Sequence, residues 1–331
     1  MIDITLKPQH QKQLIGFCAQ LDRLKSLEAT NSLHPAWLLS GQRGIGKATF
    51  AHHLVRYLLA DSSDNPAFYS MLIEQGSHPN LLVLEKMMDE DGKLESEIKI
   101  DQVRKLMNFA RQSPAIPGWR IVIIDAIDEM NRNAANSLLK ILEEPPQNFL
   151  FLMVCHSMGS LLPTIRSRCS VLNMPPLTLD DLKKSEINID PLIFQAAGNS
   201  LGQALSLKAL DLEEFTQTLH DIISDLHQGR TSKLTAYVSN LDKKDPQIHL
   251  IPNILQWFAR EMVLCINGLS SNPFVSKNKT FKSHQHWSQV EQTLNYYFHL
   301  AKHTHPDPIH LIQGALLVMN KPEIVHLEQL T

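Results

Sequence analysis

Only four cysteines stand in the 331 residues, Cys18, Cys155, Cys169 and Cys265, and no two are spaced as a CxxC pair. That spacing removes the common zinc and dithiol motifs, so the thiols read as buried groups of a reducing compartment, with neither zinc nor disulfides expected. No apolar run approaches the length of a membrane span, and the opening MIDITLKPQHQK lacks the charged-then-apolar order of a signal peptide. A cytoplasmic protein with no membrane partner is expected. Positive charge is not in excess either: 31 Lys and Arg face 34 Asp and Glu, a formal charge of -3. Any nucleic-acid contact must then come from a local basic patch or from partner chains. There is no HExxH pattern, no nucleophile elbow, no internal repeat and no low-complexity tract. The histidines of HTHPDPIH, His303, His305 and His310, read as a solvated loop.

What is present is ordinary for a folded protein, 43% hydrophobic and 20% charged residues, and the length suggests two or three domains. Through 1–175, short aliphatic runs alternate with amphipathic stretches, the pattern of an α/β domain with a mostly parallel sheet. The predicted strands are 37–40, 81–84, 120–125, 149–154 and 171–174. IVIID and FLFLMV are continuous apolar runs, as strands buried on both faces should be. Pro175 and Pro176 interrupt the pattern. After them only helical periodicity remains, giving a small helical domain over 176–211 and an all-helical domain over 212–331. Segment 268–286 reads as a long interhelical loop, and the acidic stretch 89–97 as a solvated turn.

Directly after the first strand comes GQRGIGKAT, residues 41–49, followed by an apolar helix. Gly41, Gly44 and Gly46 let backbone N–H groups approach phosphates, the helix N-terminus adds positive potential, and Lys47 would reach the outer phosphates. The position that should carry a Ser or Thr for magnesium is Ala48. Thr49 does not replace it, because one step along a helix turns a side chain by about 100°. ATP or ADP binding therefore stays open and magnesium binding is weakened. In IVIIDAIDEM, Asp125 closes an aliphatic strand, where a carboxylate stands beside the phosphate loop. Ala126 follows in place of a water-polarising glutamate, and Asp128 and Glu129 read as an exposed helix start. The next helix, NRNAANSLLKILEEPP, places Ala134, Ala135, Leu138, Leu139 and Leu142 on one face. It ends in Glu143 and Glu144, where the helix dipole disfavours negative charge.

The GxxGxGK loop, then AANSLLKILEEPP, then FLFLMVCHSMGSLLPTIRSRC, resemble the AAA+ subunits of bacterial DNA polymerase III clamp loaders, most densely over 37–169. The resemblance implies a P-loop ATPase-like domain, a helical lid and a helical collar. It also implies tau or gamma and delta subunits as partners, with the sliding clamp and primer–template DNA met through the assembly. Within the family one subunit type hydrolyses ATP and another is inert, and the departures here, Ala48, Ala126, Gly202 where the lid carries an arginine, and Cys155–His156 at the polar sensor, match the inert type. No independent catalysis is expected, only an accessory role in a DNA-directed DNA polymerase complex. The intact Ser167-Arg168-Cys169 implies that Arg168 reaches a neighbouring subunit's ATP, while its plainer reading is a surface ion pair. No cysteine falls in 55–80, so the zinc module common in the family is absent or metal-free. Two other readings compete. One is an active ATPase of the tau or gamma type. The other is a free-standing DNA-binding module using Arg104, Lys105, Arg111 and Arg132; within a clamp-loader assembly, Arg132 is the strongest candidate for DNA contact.

Overall fold

Five aliphatic runs form five strands: β1 (Ala36–Ser40), β2 (Leu81–Glu85), β3 (Arg120–Asp125), β4 (Phe149–Cys155) and β5 (Ser170–Asn173). Each agrees with its predicted range to within a residue or two. The computed structural model describes residues 7–61, 63–87, 95, 97–185, 187–208, 211–243, 245–276, 282–304 and 306–324. It divides into two compact units, Met1–Ile187 and Asn188–Thr331.

In the first unit the strands pair in the order β2-β3-β4-β1-β5, parallel throughout. Because β4 lies at the centre, all seven of its residues are buried. The helices are α1 (Cys18–Ala29), α2 (Lys47–Arg56), α3 (Pro66–Glu74), α4 (Ile100–Arg111), α5 (Arg132–Glu143), α6 (Pro163–Arg166) and α7 (Leu179–Lys184). One face of the sheet, with Leu38, Val122, Ile124, Phe151 and Met153, shares a core with Leu106 of α4, Leu138, Ile141 and Leu142 of α5, and Ile165 of α6. Residues one step out of phase point to the opposite face, where α2 lies against β3 and β4. On α5 the buried stripe is Ala134, Ala135, Leu138, Ile141 and Leu142, with Leu139 only partly covered, so Ile141 takes the place that the sequence reading gave to Leu139.

Arg120 opens β3 while 5% exposed. Its guanidinium lies 4.4 Å from the Phe109 ring centroid and donates to the Gln112 carbonyl at 2.5 Å, so the buried charge keeps both a π face and an acceptor.

The second unit is helical: α8 (Pro191–Ala196), α9 (Leu201–Lys208), α10 (Leu212–His227), α11 (Ser232–Ser239), α12 (Ile251–Ile266), α13 (Pro273–Ser276), α14 (His284–Thr304) and α15 (Pro308–Asn320). Trp287 of α14 is almost wholly buried against Phe258 of α12. Asp225, near the end of α10, accepts from Arg230, the Ser232 hydroxyl and the Lys233 amide, which fixes the turn into α11. The expected loop over 268–286 is shorter than predicted. Pro273 starts the single-turn helix α13 and α14 begins at His284, with 277–281 outside the described residues. HTHPDPIH is likewise not a loop: it spans the end of α14 and the start of α15, which Asp307 caps by accepting from the Ile309 amide, with His305 outside the described residues.

No helix among the described residues is long and apolar enough to cross a membrane. Phe151, fully buried in β4 beside Phe149, tests the core. Phe151→Ala should cost about 3–5 kcal/mol, read as a lower urea midpoint for the sheet unit with its slope unchanged.

Candidate functional site

In-register parallel pairing brings the C-terminal ends of the strands together: Ser40 lies opposite Cys155 and Asn173, and Asp125 opposite Val154 and Glu85. The loop leaving β1 starts at Gly41, whose amide donates to the Cys155 carbonyl at 3.2 Å. A Cβ there would come within 2.3 Å of the Met174 carbonyl oxygen, so only glycine lets the loop pass this close to the end of β5. Gly46, at φ 100°, reverses the chain into α2, a conformation that a side chain would strain. Gly44 also has positive φ, at 79°. The glycines, the helix start and the lysine assemble as the motif requires.

Lys47 is 3% exposed, and its ammonium donates to the Gly41 and Gln42 carbonyls at 2.7 and 2.6 Å. Burial lowers its pKa to about 8 in spite of the carboxylates of Asp125 and Asp128. Asp125 is pushed the other way, up to about 6, first by burial and then by Glu129, against the pull of Lys47. His156 is held to about 3 by burial and by the Lys47 and Arg43 charges, so its imidazole is neutral at physiological pH. Burial lifts the Cys155 thiol to about 12. Neither member of this Cys-His pair carries charge at pH 7.

Asp128 and Glu129 are not an exposed helix start. They belong to a 3₁₀ turn, Ile127–Glu129, that folds back over the strand ends. Asp128 accepts from the His156 and Ser157 amides at 3.0 and 2.9 Å, capping the loop after β4. Glu129 bridges Arg43 of the phosphate loop at 2.5 Å and Lys86, just past β2, at 2.9 Å. Both carboxylates are thus already committed, one to backbone amides and one to two cations. Ala48 offers no oxygen and Ala126 is buried. The loop keeps its phosphate-binding pattern, but position 48 lacks the hydroxyl that would ligate magnesium, and Asp125 stands beside Lys47 as the carboxylate at the end of β3.

Arg168 stands past the end of α6, on the corner leading into β5. Its Nη2 lies 2.7 Å from Glu143 Oε1 at the last residue of α5, and its Nη1 donates to the Thr164 carbonyl at 3.0 Å. This is the surface ion pair of the plainer reading, and it accounts for one of the two glutamates at that helix end, a partner that the sequence reading did not name. The clue was a carboxylate placed where the dipole costs it about 0.3–1 kcal/mol. Glu144, at the C-cap, is exposed. Cys169 packs against the core cluster, and burial raises its thiol to about 12.

Arg132, the first residue of α5, is exposed, as are Arg104, Lys105 and Arg111 on α4. Arg104 is paired with Asp101 at 2.6 Å. Of the acidic stretch 89–97, most lies outside the described residues, while Glu95 and Glu97 bond to Lys99 and Asn131. Gly202 lies on α9 in the second unit.

Residues 18–178 match the family model described as DNA polymerase III, delta subunit. The DNA polymerase III subunit delta' of Pseudomonas aeruginosa is 39% identical over 139 residues, 40% of this chain and 41% of that protein. That of Yersinia pestis is 34% identical over 152 residues, 44% of this chain and 43% of that protein. The tau subunit of Escherichia coli is 26% identical over 278 residues, 79% of this chain and 40% of tau. The chain spans less than half the length of each of these relatives. The similarity to DNA polymerase III delta' and tau subunits includes the five-stranded parallel sheet and the phosphate loop.

The buried pair at the strand ends makes stability depend on pH in two windows. Asp125 rises from 3.8 to about 6 on folding, so the folded state holds an extra proton between those values and stability falls as pH rises through them. Lys47 drops from 10.5 to about 8, so the unfolded state holds the extra proton there and stability rises from about pH 8 upward. In urea titrations across pH, Asp125→Asn should remove the fall and Lys47→Met the rise.

Proposed function

We propose that this chain is the delta'-type, non-hydrolysing AAA+ subunit of a DNA polymerase III clamp loader. On this reading it supports ATP-driven loading of the sliding clamp on primed DNA and donates Arg168 to a neighbouring subunit's ATP site. One observation carries the reading: the loop and strand-end site has its glycines and Lys47 but no oxygen at 48 and no carboxylate at 126, while Asp128 and Glu129 are engaged elsewhere. A chain whose hold on magnesium is weakened and whose water-polarising glutamate is missing is not equipped to turn over ATP. An arginine supplied from outside a site stabilises the charge that develops on the transferred phosphoryl group, and Arg168 lies at a partly exposed corner where it can be so supplied.

The proposal includes the division into an ATPase-like P-loop domain (1–175), a helical lid (176–211) and a helical collar (212–331). Tau or gamma and delta are the direct partners, and the clamp and primer–template DNA are met through the assembly, with Arg132 as a DNA contact. Gly41, Gly44, Gly46, Lys47 and Asp125 are a vestigial nucleotide site. The protein works in the cytoplasm. The alternative, an active ATPase of the tau or gamma type, draws on the tau alignment over 79% of the chain and is opposed by Ala48 and Ala126.

Purified alone, the chain should show no steady ATP turnover, and turnover abolished by Lys47→Ala would establish the alternative. In the reconstituted loader, Arg168→Ala should slow hydrolysis at the adjacent site by about 10³-fold or more, measured as DNA-stimulated phosphate release. Unchanged release would end the proposed role of Arg168.

A further inference from the structure

We propose that Glu143 is a positioning residue for Arg168, fixing the plane of its guanidinium so that the group meets a neighbour's nucleotide already aimed. The inference rests on the reading of Arg168 as a group acting in trans.

Three contacts define the arrangement. Nη1 donates to the Thr164 carbonyl at 3.0 Å and lies 3.4 Å from the Ser167 hydroxyl, while Nη2 bonds Glu143 Oε1 at 2.7 Å. With only the Thr164 and Ser167 contacts, one nitrogen is held and the planar group pivots about it. The Glu143 bond fixes a second nitrogen and with it the plane. The two supports come from different elements, α6 with the residue after it and the end of α5. These elements are joined rigidly, because Ile141 and Leu142 of α5 share one buried cluster with Leu161 and Ile165. The frame therefore does not give when the arginine is loaded.

The plainer account, that the pair serves stability, is weak. The Arg168 side chain is 34% exposed and that of Glu143 51%, and ion pairs this open to water contribute little to folding. Glu143 is also the last residue of α5, where a carboxylate opposes the helix dipole. Geometry is what the pair supplies, and reaction rate is sensitive to the placement of a charged group in a way that folding is not.

The test uses the loader reconstituted from the full chain with its tau or gamma and delta subunits, comparing Arg168→Ala, Glu143→Ala, Glu143→Gln and the Arg168→Ala/Glu143→Ala double variant. Glu143→Ala should reduce by about tenfold the component of kcat that Arg168→Ala abolishes, with the KM for ATP unchanged. Glu143→Gln, whose side-chain carbonyl accepts the same Nη2 bond, should restore most of it. In the Arg168→Ala background Glu143→Ala should add nothing. A normal or raised kcat in Glu143→Ala, no rescue by Gln, or a further loss in the double variant overturns the positioning role. Should Arg168→Ala itself leave turnover unchanged, it is the underlying reading of Arg168 that falls.

Discussion

The in-register parallel pairing of β1 with β4 and β5 is the constraint on which the rest of the site depends. It sets Ser40, Cys155 and Asn173 side by side, and the chain leaving each strand must diverge within a few residues. Gly41 manages this by running against the Met174 carbonyl, where any side chain would collide. A one-residue slip would move each side chain to the opposite, equally buried face and carry the phosphate loop away from Asp125. Because both faces of β4 are closely packed, such an exchange would disrupt the packing on each of them.

With the strand ends fixed, the charges around them form a nearly closed set. Lys47 is satisfied by two loop carbonyls, Asp128 by two backbone amides, and Glu129 by Arg43 and Lys86. A buried ammonium or carboxylate without such partners would be costly enough to lose its charge. Lys47 and Asp125 show part of that pressure, moved toward neutrality from opposite sides. Asp128 and Glu129, just past the end of β3, thus hold the neighbouring loops in place.

Much of this was legible in the sequence because burial on both faces writes itself as unbroken aliphatic runs. IVIID and FLFLMV announced β3 and β4, and GQRGIGKAT placed the phosphate loop between a strand and a helix. Contacts between residues distant in the chain were not legible. Asp128 is 28 residues from the amide of His156, and nothing local distinguishes a carboxylate that folds back to cap a strand end from one that begins an exposed helix. Glu143 lies 25 residues from Arg168, and only its unfavourable place at a helix end hinted at a partner. The helical half read well in periodicity and poorly at its breaks, since a single-turn helix such as α13 has too few residues for a period to show.

The triplet Ser167-Arg168-Cys169 divides its work by what each side chain touches. Cys169 is the anchor: packed on the core and held neutral by burial, it behaves as a small apolar group rather than a reactive thiol. Ser167 donates to the Thr164 carbonyl at 3.1 Å, closing the turn at the end of α6. Arg168 is the charged member, partly exposed, carried on a corner whose backbone is tied by the Arg168 amide to the Ile165 carbonyl at 3.1 Å. An arginine on an unbraced loop would have to be ordered at each encounter, losing rotamer freedom worth about 2 kcal/mol. Mounted between a partly buried cysteine, an exposed serine that closes the turn and a helix-end glutamate, Arg168 has met most of that cost when the chain folds.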